Sequence, residues 1–384
     1  MPAVFGKVTD SRNAGLDNAT VVVAGAADLC RSDGSFHIDD VPQGEYVLKI
    51  VHRDYPVIRA IIEMDDLPAY LNIKMTSPKR RPDESGILTA KREAEGLLIE
   101  SFEPVVAVGV SRNRDTILVY IDSPDGEMPD VPGLPVTIGG FPVRAVPMTL
   151  RTRPAMVSNT PEQAKHRPVS GGVSAAHYKA LAGTLGAVVF DQHDGSPLFL
   201  SNNHIFAECS SDARQRANVG DPVVQPSALD GGTAQDVVGE LSRWVPYRVK
   251  GNNLVDAAVA RPLPGISIDP RVWSGGDMVD VRGTRGINSP TVVRRCGRTT
   301  GCEVGEIVDW DFTTIMDYPT GEGILYVDQL LVDMDTDEGD SGSLLLDEHG
   351  YAVGLLSGTT VIGGKEYTVA NKIRNVLEML DVEF

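Results

Sequence analysis

Cysteine is scarce in this chain: four residues in 384, too few for a disulfide framework. Positive charge is in deficit, with 35 Lys and Arg against 53 Asp and Glu and a net charge of −18. That balance argues against nucleic acid and anionic membrane surfaces as main partners, because both reward cationic proteins. No apolar run approaches the roughly 18 residues that a membrane span needs. The opening Met1-Pro2-Ala3-Val4-Phe5-Gly6-Lys7 lacks a basic stretch leading into an apolar core, so no secretory leader is expected there. These absences set the expectation of a cytoplasmic protein working away from membranes and nucleic acids. Aromatic residues are few as well, at 6%. What is abundant is glycine (39) and proline (25), beside 42% hydrophobic residues. That is the composition of a soluble, turn-rich, strand-built chain, long enough for two or three domains.

Residues 1–75 read as short strands between turns. Thr20-Val21-Val22-Val23 is a β-branched strand, Asp33-Gly34-Ser35 a turn, and Phe36-His37-Ile38 resumes the alternation. Val41-Pro42-Gln43-Gly44 turns again into the strand Tyr46-Val47-Leu48-Lys49-Ile50-Val51. A small antiparallel sandwich is expected. The runs Phe5-Gly6-Lys7-Val8, Asp33-Gly34-Ser35-Phe36 and Pro42-Gln43-Gly44-Glu45-Tyr46 resemble those of carboxypeptidase-regulatory-like (transthyretin-like) domains. That resemblance implies a non-catalytic spacer or docking module on which a partner protein could bind, with His37 and Cys30 structural or superficial.

Residues 76–170 are read as a linker followed by a small α+β layer. Ser77-Pro78-Lys79-Arg80-Arg81-Pro82-Asp83 has the charge and proline of a linker. Ile87, Ala90, Ala94, Leu97 and Leu98 then recur at helical spacing. Three or four strands follow, over 105–110, 116–121, 136–138 and 141–146, and none carries catalytic spacing. From Arg151 to Ser170 the chain is polar and proline-bearing, the pattern of an exposed connection.

The chemistry gathers between residues 171 and 384. Glu338-Gly339-Asp340-Ser341-Gly342-Ser343 sets a serine between glycines just ahead of the apolar run Leu344-Leu345-Leu346, which presents a nucleophile on a tight turn. Leu198 to Ala207 runs as a strand toward His204, a candidate general base. Asn252-Asn253-Leu254-Val255-Asp256-Ala257-Ala258 places Asp256 within an apolar run, where an unpaired charge would cost several kcal/mol. A structural ion pair or a turn cap would satisfy that cost. Orienting the imidazole of His204 would also satisfy it.

These three motifs, in the order His, Asp, Ser, resemble the trypsin-like (chymotrypsin-fold) serine proteases. Asn202 and Asn203 stand where that family usually has alanines. Arg294-Arg295-Cys296-Gly297-Arg298-Thr299-Thr300-Gly301 resembles a hairpin of bacterial streptogrisin and α-lytic-type enzymes. That resemblance implies an ion pair between Arg295 and Asp340 that removes the need for activation by cleavage. Ser170-Gly171-Gly172-Val173-Ser174, Ala182-Gly183-Thr184-Leu185-Gly186, Leu200-Ser201-Asn202-Asn203-His204 and Asp230-Gly231-Gly232-Thr233 resemble the narrow-leaf type of bacterial and plant protein, an intracellular branch of the same family.

The resemblance implies a C-terminal double β-barrel closed by a helix over 371–380, in a chain that is mostly β. It implies Ser341 as nucleophile, His204 as base and Asp256 as orienter, with an oxyanion hole from the amides of Gly339 and Ser341. Ser357 would hydrogen-bond Asp256, Gly358 and Thr359 would pair with substrate backbone, and Asp335 would close the primary pocket and select Arg or Lys. A solvated acidic loop is the competing reading of Asp335. Ser343 departs from the family glycine. Cys296 and Cys302 flank a turn and could pair, although free thiols are expected in a cytosolic chain. A zinc site from His204, Cys209, Cys296 and Cys302 has poor spacing and would consume the base, so no metal or cofactor is expected. The function implied is a serine endopeptidase acting on protein or peptide substrates. The alternatives are a pseudoprotease binding scaffold and an esterase using the same three residues.

Overall fold

The computed structural model describes residues 2–17, 19–24, 26–52, 55–64, 67–75, 86–99, 101–102, 104–128, 131–149 and 160–384. The chain is mostly β. In the N-terminal part a three-stranded sheet (Ser35–Ile38, Val4–Thr9, Ala69–Lys74) faces a four-stranded one (Ala26–Leu29, Thr20–Val23, Gly44–His52, Tyr55–Met64). Alternation in Val4–Thr9 turns Val4 and Val8 inward onto Val21, Phe36, Leu48 and Ile50. One pairing departs from the antiparallel expectation. Ala69–Lys74 lies parallel to Val4–Thr9, because the chain returns to the first strand by crossing from the other sheet rather than through a hairpin.

The linker expected over 77–83 lies outside the described residues. Beyond it, helix Gly86–Leu98 buries Ile87, Leu88, Ala90, Ala94 and Leu98 on the strands Val105–Val110 and Ile117–Asp122. Leu97, expected on that face, is half-exposed, and Leu88, not expected there, is buried. These strands join a larger sheet: Val105–Val110 pairs with Gly301–Asp317, and Phe141–Thr149 pairs with the end of Ala352–Ile362. Pairing between strands some two hundred residues apart leaves no local mark in a sequence.

Two large sheets dominate the C-terminal part. The first runs in the order Ala176–His177, Pro222–Val224, Val237–Trp244, Ala258–Pro262, Pro197–Ser201, Ala187–Asp191 and Val382–Glu383. In the second, Gly301–Asp317, Thr291–Gly297, Leu344–Asp347, Ala352–Ile362, Lys365–Lys372 and Gly323–Asp333 pair in turn, and the last returns to the first, closing a ring. Helix Ile373–Leu380 leaves this ring and packs on both sheets, after which Val382–Glu383 joins the first. A single apolar cluster spans the junction, with Leu198, Leu200 and Val259 meeting Leu344, Leu346 and Leu355. Burial of that surface drives the two sheets together.

The connection expected to be exposed over 151–170 is otherwise where it can be described, 151–159 lying outside the described residues. Glu162 is buried and accepts from Trp273 Nε1 at 3.2 Å, and Val169–Gly171 pairs with Ile268–Ser274. Its polar residues are there to bond with the second half of the chain.

Buried cations fasten the outlying parts. Lys49 of the sandwich reaches Asp381 at 3.1 Å, and Arg248 reaches Asp17 at 3.0 Å and the carbonyl of Cys30. On the middle helix, Lys91 is fully buried and contacts Glu95 at 2.5 Å, Thr313 Oγ1 at 3.0 Å and Asp311 at 3.4 Å. Removing it would leave carboxylates buried without their cation. Lys91→Ala is expected to cost on the order of 3–5 kcal/mol, seen by calorimetry as a lowered melting temperature. An unchanged transition would contradict the role given to this cluster.

Candidate active site

His204 does not end the strand, as its sequence context suggested. Strand Pro197–Ser201 stops three residues earlier, and His204 lies in the single helical turn Asn203–Phe206. The two preceding asparagines shape that turn, and both are fully buried. Asn202 Nδ2 donates to the Asp256 carbonyl at 2.8 Å. Asn203 Nδ2 donates to the carbonyls of Ser210 (2.8 Å) and Val245 (2.7 Å), and its oxygen accepts from Ser210 N at 3.0 Å. Alanines could make none of these bonds.

Asp256 is fully buried and meets His204 twice: Oδ2 lies 2.5 Å from Nδ1, and Oδ1 accepts from the His204 amide at 3.2 Å. A carboxylate only accepts, so Nδ1 carries the proton in the neutral ring and Nε2 is left as an acceptor. Burial pulls the imidazole pKa down, but the charge and hydrogen bond of Asp256, helped by Glu338, outweigh it and leave the pKa raised above 6.5. The expected bond from Ser357 to this carboxylate is not made. Ser357 Oγ donates instead to the Val369 carbonyl at 3.2 Å, and the second donor to Asp256 Oδ2 is Tyr318 OH at 2.9 Å. Tyr318 belongs to no motif, so sequence reasoning missed it.

Ser341 sits on the turn its glycines predict. Gly342 has φ +94°, and a Cβ there would lie 2.2 Å from the Thr184 carbonyl oxygen and 2.4 Å from Ser201 Oγ. The Glu338 carbonyl accepts from Thr299 Oγ1 at 2.6 Å, and the Asp340 carbonyl accepts from Ser343 N at 3.0 Å and from Ser343 Oγ. In a trans peptide the N–H points opposite to the C=O. The amides of Gly339 and Ser341 are thereby turned away from the donors that hold those carbonyls. Ser343, where the family has glycine, has no positive φ and uses its hydroxyl to fix the turn.

Behind the turn, Asp340 is fully buried and saturated with donors. Arg295 Nη2 lies at 3.1 Å, Thr300 Oγ1 at 2.8 Å, and the amides of Thr299, Thr300 and Asp337 at 2.8, 3.1 and 3.0 Å. A second buried pair, Arg298 with Asp230 at 2.6 Å, ties this hairpin to the first sheet. Both residues stand in runs quoted for the family resemblance, so that signal was present. Cys296 and Cys302 face each other across the hairpin and form a disulfide, where free thiols were expected, while Cys30 and Cys209 are buried and free.

His204 and Ser341 line one cleft, walled by 314–319, Glu338, 357–360 and Val369. Among the described residues no hydrogen bond joins His204 Nε2 to Ser341 Oγ. Gly358 and Thr359 are on the wall. Between Leu355, paired with Leu344, and Val361, paired with Thr149, the cleft edge of Ala352–Ile362 has no partner strand among the described residues. Asp335 is not in the cleft. Alternation turns it outward to solvent and buries its neighbour Thr336 against Thr368 at 3.0 Å, so only the Asp335 carbonyl is used, by Arg295. The solvated-loop reading of Asp335 is the correct one.

No family model matches this chain, and no curated protein does. Solved structures similar to it include Protease A of Thermobifida fusca (22% identity, 56% of this chain and 96% of that one, TM-score 0.41). The chymotrypsin of Cellulomonas bogoriensis gives 20% identity, 56% and 97% coverage and a TM-score of 0.42. A Nocardiopsis protease gives 19%, 56% and 97%, and 0.41. With values this low, the chemistry of the cleft rests on its own side chains.

Among the described residues Arg295 is the one charged donor to Asp340. Arg295→Ala is expected to cost about 3–5 kcal/mol in urea denaturation, and Arg295→Lys less, since it keeps the charge and loses the fork. A loss below about 1 kcal/mol in Arg295→Ala would show that the neutral donors suffice.

Proposed function

We propose that this chain is a serine endopeptidase that cleaves protein substrates through an acyl-enzyme. The observation that carries the reading is a fully buried Asp256 bonded to His204 in the cleft that also holds Ser341. Ser341 Oγ attacks the scissile carbonyl while His204 Nε2 takes its proton, the contact between them tightening when substrate binds. Asp256 holds the tautomer and stabilises the imidazolium, which then protonates the leaving amine. The developing oxyanion meets the amides of Gly339 and Ser341, each worth roughly 3 kcal/mol in comparable sites.

An extended substrate would lie along the unpaired edge at 357–360, its backbone completing the sheet. This edge favours peptides over small esters and gives a scaffold-only role no advantage. The N-terminal sandwich is proposed as a non-catalytic docking or regulatory module. The cytoplasm is the proposed compartment; the free thiols of Cys30 and Cys209 fit it, and the Cys296–Cys302 disulfide weighs against it.

Ser341→Ala and His204→Ala are each expected to lower hydrolysis of unfolded protein substrates by at least about 10⁴-fold, with melting temperature unchanged in Ser341→Ala. Normal turnover by a folded Ser341→Ala chain would refute the proposal. The pH profile supplies a second test. His204 must be neutral to accept the serine proton, and its pKa is raised, so kcat/KM should fall on acidification with a midpoint above 6.5. A midpoint below 6.5 would contradict the Asp256–His204 coupling.

A further inference from the structure

Tyr318 stands just past the long strand Gly301–Asp317, where the chain turns toward Gly323–Asp333. Its amide and carbonyl close that turn with Glu322 and Gly321. The ring is buried, stacks on Tyr247 with centroids 4.9 Å apart, and lies 5.5 Å from the ring of His204. Its hydroxyl is 2.9 Å from Asp256 Oδ2 and 3.0 Å from the hydroxyl of Tyr326, which is fully buried. A phenol has one proton and a carboxylate can only accept. Tyr318 therefore donates to Asp256, and Tyr326 donates to Tyr318.

We propose that Tyr318 is a positioning residue for the proposed reaction, fixing the Asp256 carboxylate and sharing its charge with His204 through a Tyr326–Tyr318–Asp256 relay of hydrogen bonds. The inference rests on the reading of Ser341, His204 and Asp256 as a catalytic set. Asp256 Oδ2 has two claimants, Nδ1 of His204 and the hydroxyl of Tyr318. What Tyr318 takes of the carboxylate's charge is not available to the imidazolium. Burial, and then the charge of Asp256, push the Tyr318 phenol well above its ordinary value, so it remains a donor wherever the reaction runs. The other titratable groups facing this pair are Glu338 beside His204, and Tyr247, Tyr326 and Cys209 around Asp256. The phenols and the thiol of Cys209 are all raised by burial and stay neutral across the acid limb.

The test is Tyr318→Phe in the full chain, which keeps the ring and its stacking and removes one donor. With His204 followed by NMR titration of histidine-labelled protein, its pKa should rise by about half a unit or more, because the carboxylate is less shared. On a peptide substrate, kcat should fall roughly tenfold with KM within about twofold, and the acid limb of the pH profile should move up with the NMR value. Tyr326→Phe leaves the bond to Asp256 in place and should shift His204 in the same direction by less. If Tyr318→Phe melts as wild type and His204 titrates unchanged, the proposal is wrong. If Tyr318→Phe does not fold, the absence of any shift in Tyr326→Phe overturns it. The titration needs no turnover, so a wild-type chain that hydrolyses nothing would defeat the peptidase reading while the NMR arm still decides on Tyr318.

Discussion

Everything in the cleft depends on a charge kept out of water. Asp256 has no exposed surface, and a carboxylate in that position has to be matched by donors or it will not ionise. Its donors are the amide and Nδ1 of His204 and the hydroxyl of Tyr318, while its own amide is held by Asn371 Oδ1 at 2.8 Å. These partners come from three separate stretches of chain, and Asp256 from a fourth. Bringing them together requires both sheets to be formed and locked, so the fold is in effect a device for placing one negative charge against one imidazole.

The same logic recurs at each junction. Asp340 is met by Arg295 behind the Ser341 turn, Asp230 by Arg298 between the sheets, Asp311 by Lys91 under the middle helix, and the partly exposed Asp381 by the buried Lys49 of the sandwich. Buried pairs of this kind add little net stability over apolar packing, but breaking one is costly, and they tolerate only one register. An apolar cluster such as the one around Leu198, Leu344 and Leu355 can be assembled in more than one way. The pairs choose among them.

The sequence was most legible where chemistry forces local pattern. A glycine-flanked serine entering an apolar run, an aspartate in an apolar run and a histidine after a buried strand locate Ser341, Asp256 and His204 before any coordinates. The Arg295–Asp340 pair was within reach because both ends lie in short, distinctive runs. What escaped is what depends on tertiary placement. Tyr318 reaches Asp256 from the far end of a seventeen-residue strand, and no spacing rule connects them. Ser357 and Asp335 were placed by family position along the chain. A bulge between Leu356 and Gly358 and an outward turn at Asp335 defeat such placement. The merging of the middle strands with the closed ring was invisible for the same reason.

The central claim is that the intact chain already holds a working nucleophile, since Arg295 supplies internally the partner that Asp340 needs. Its most direct test is to treat the full-length, uncut protein with a fluorophosphonate and locate the adduct by peptide mass spectrometry. The account predicts a single phosphonyl group, on Ser341, at a rate that needs no prior proteolysis. An intact chain that stays unlabelled and reacts only after cleavage would contradict it.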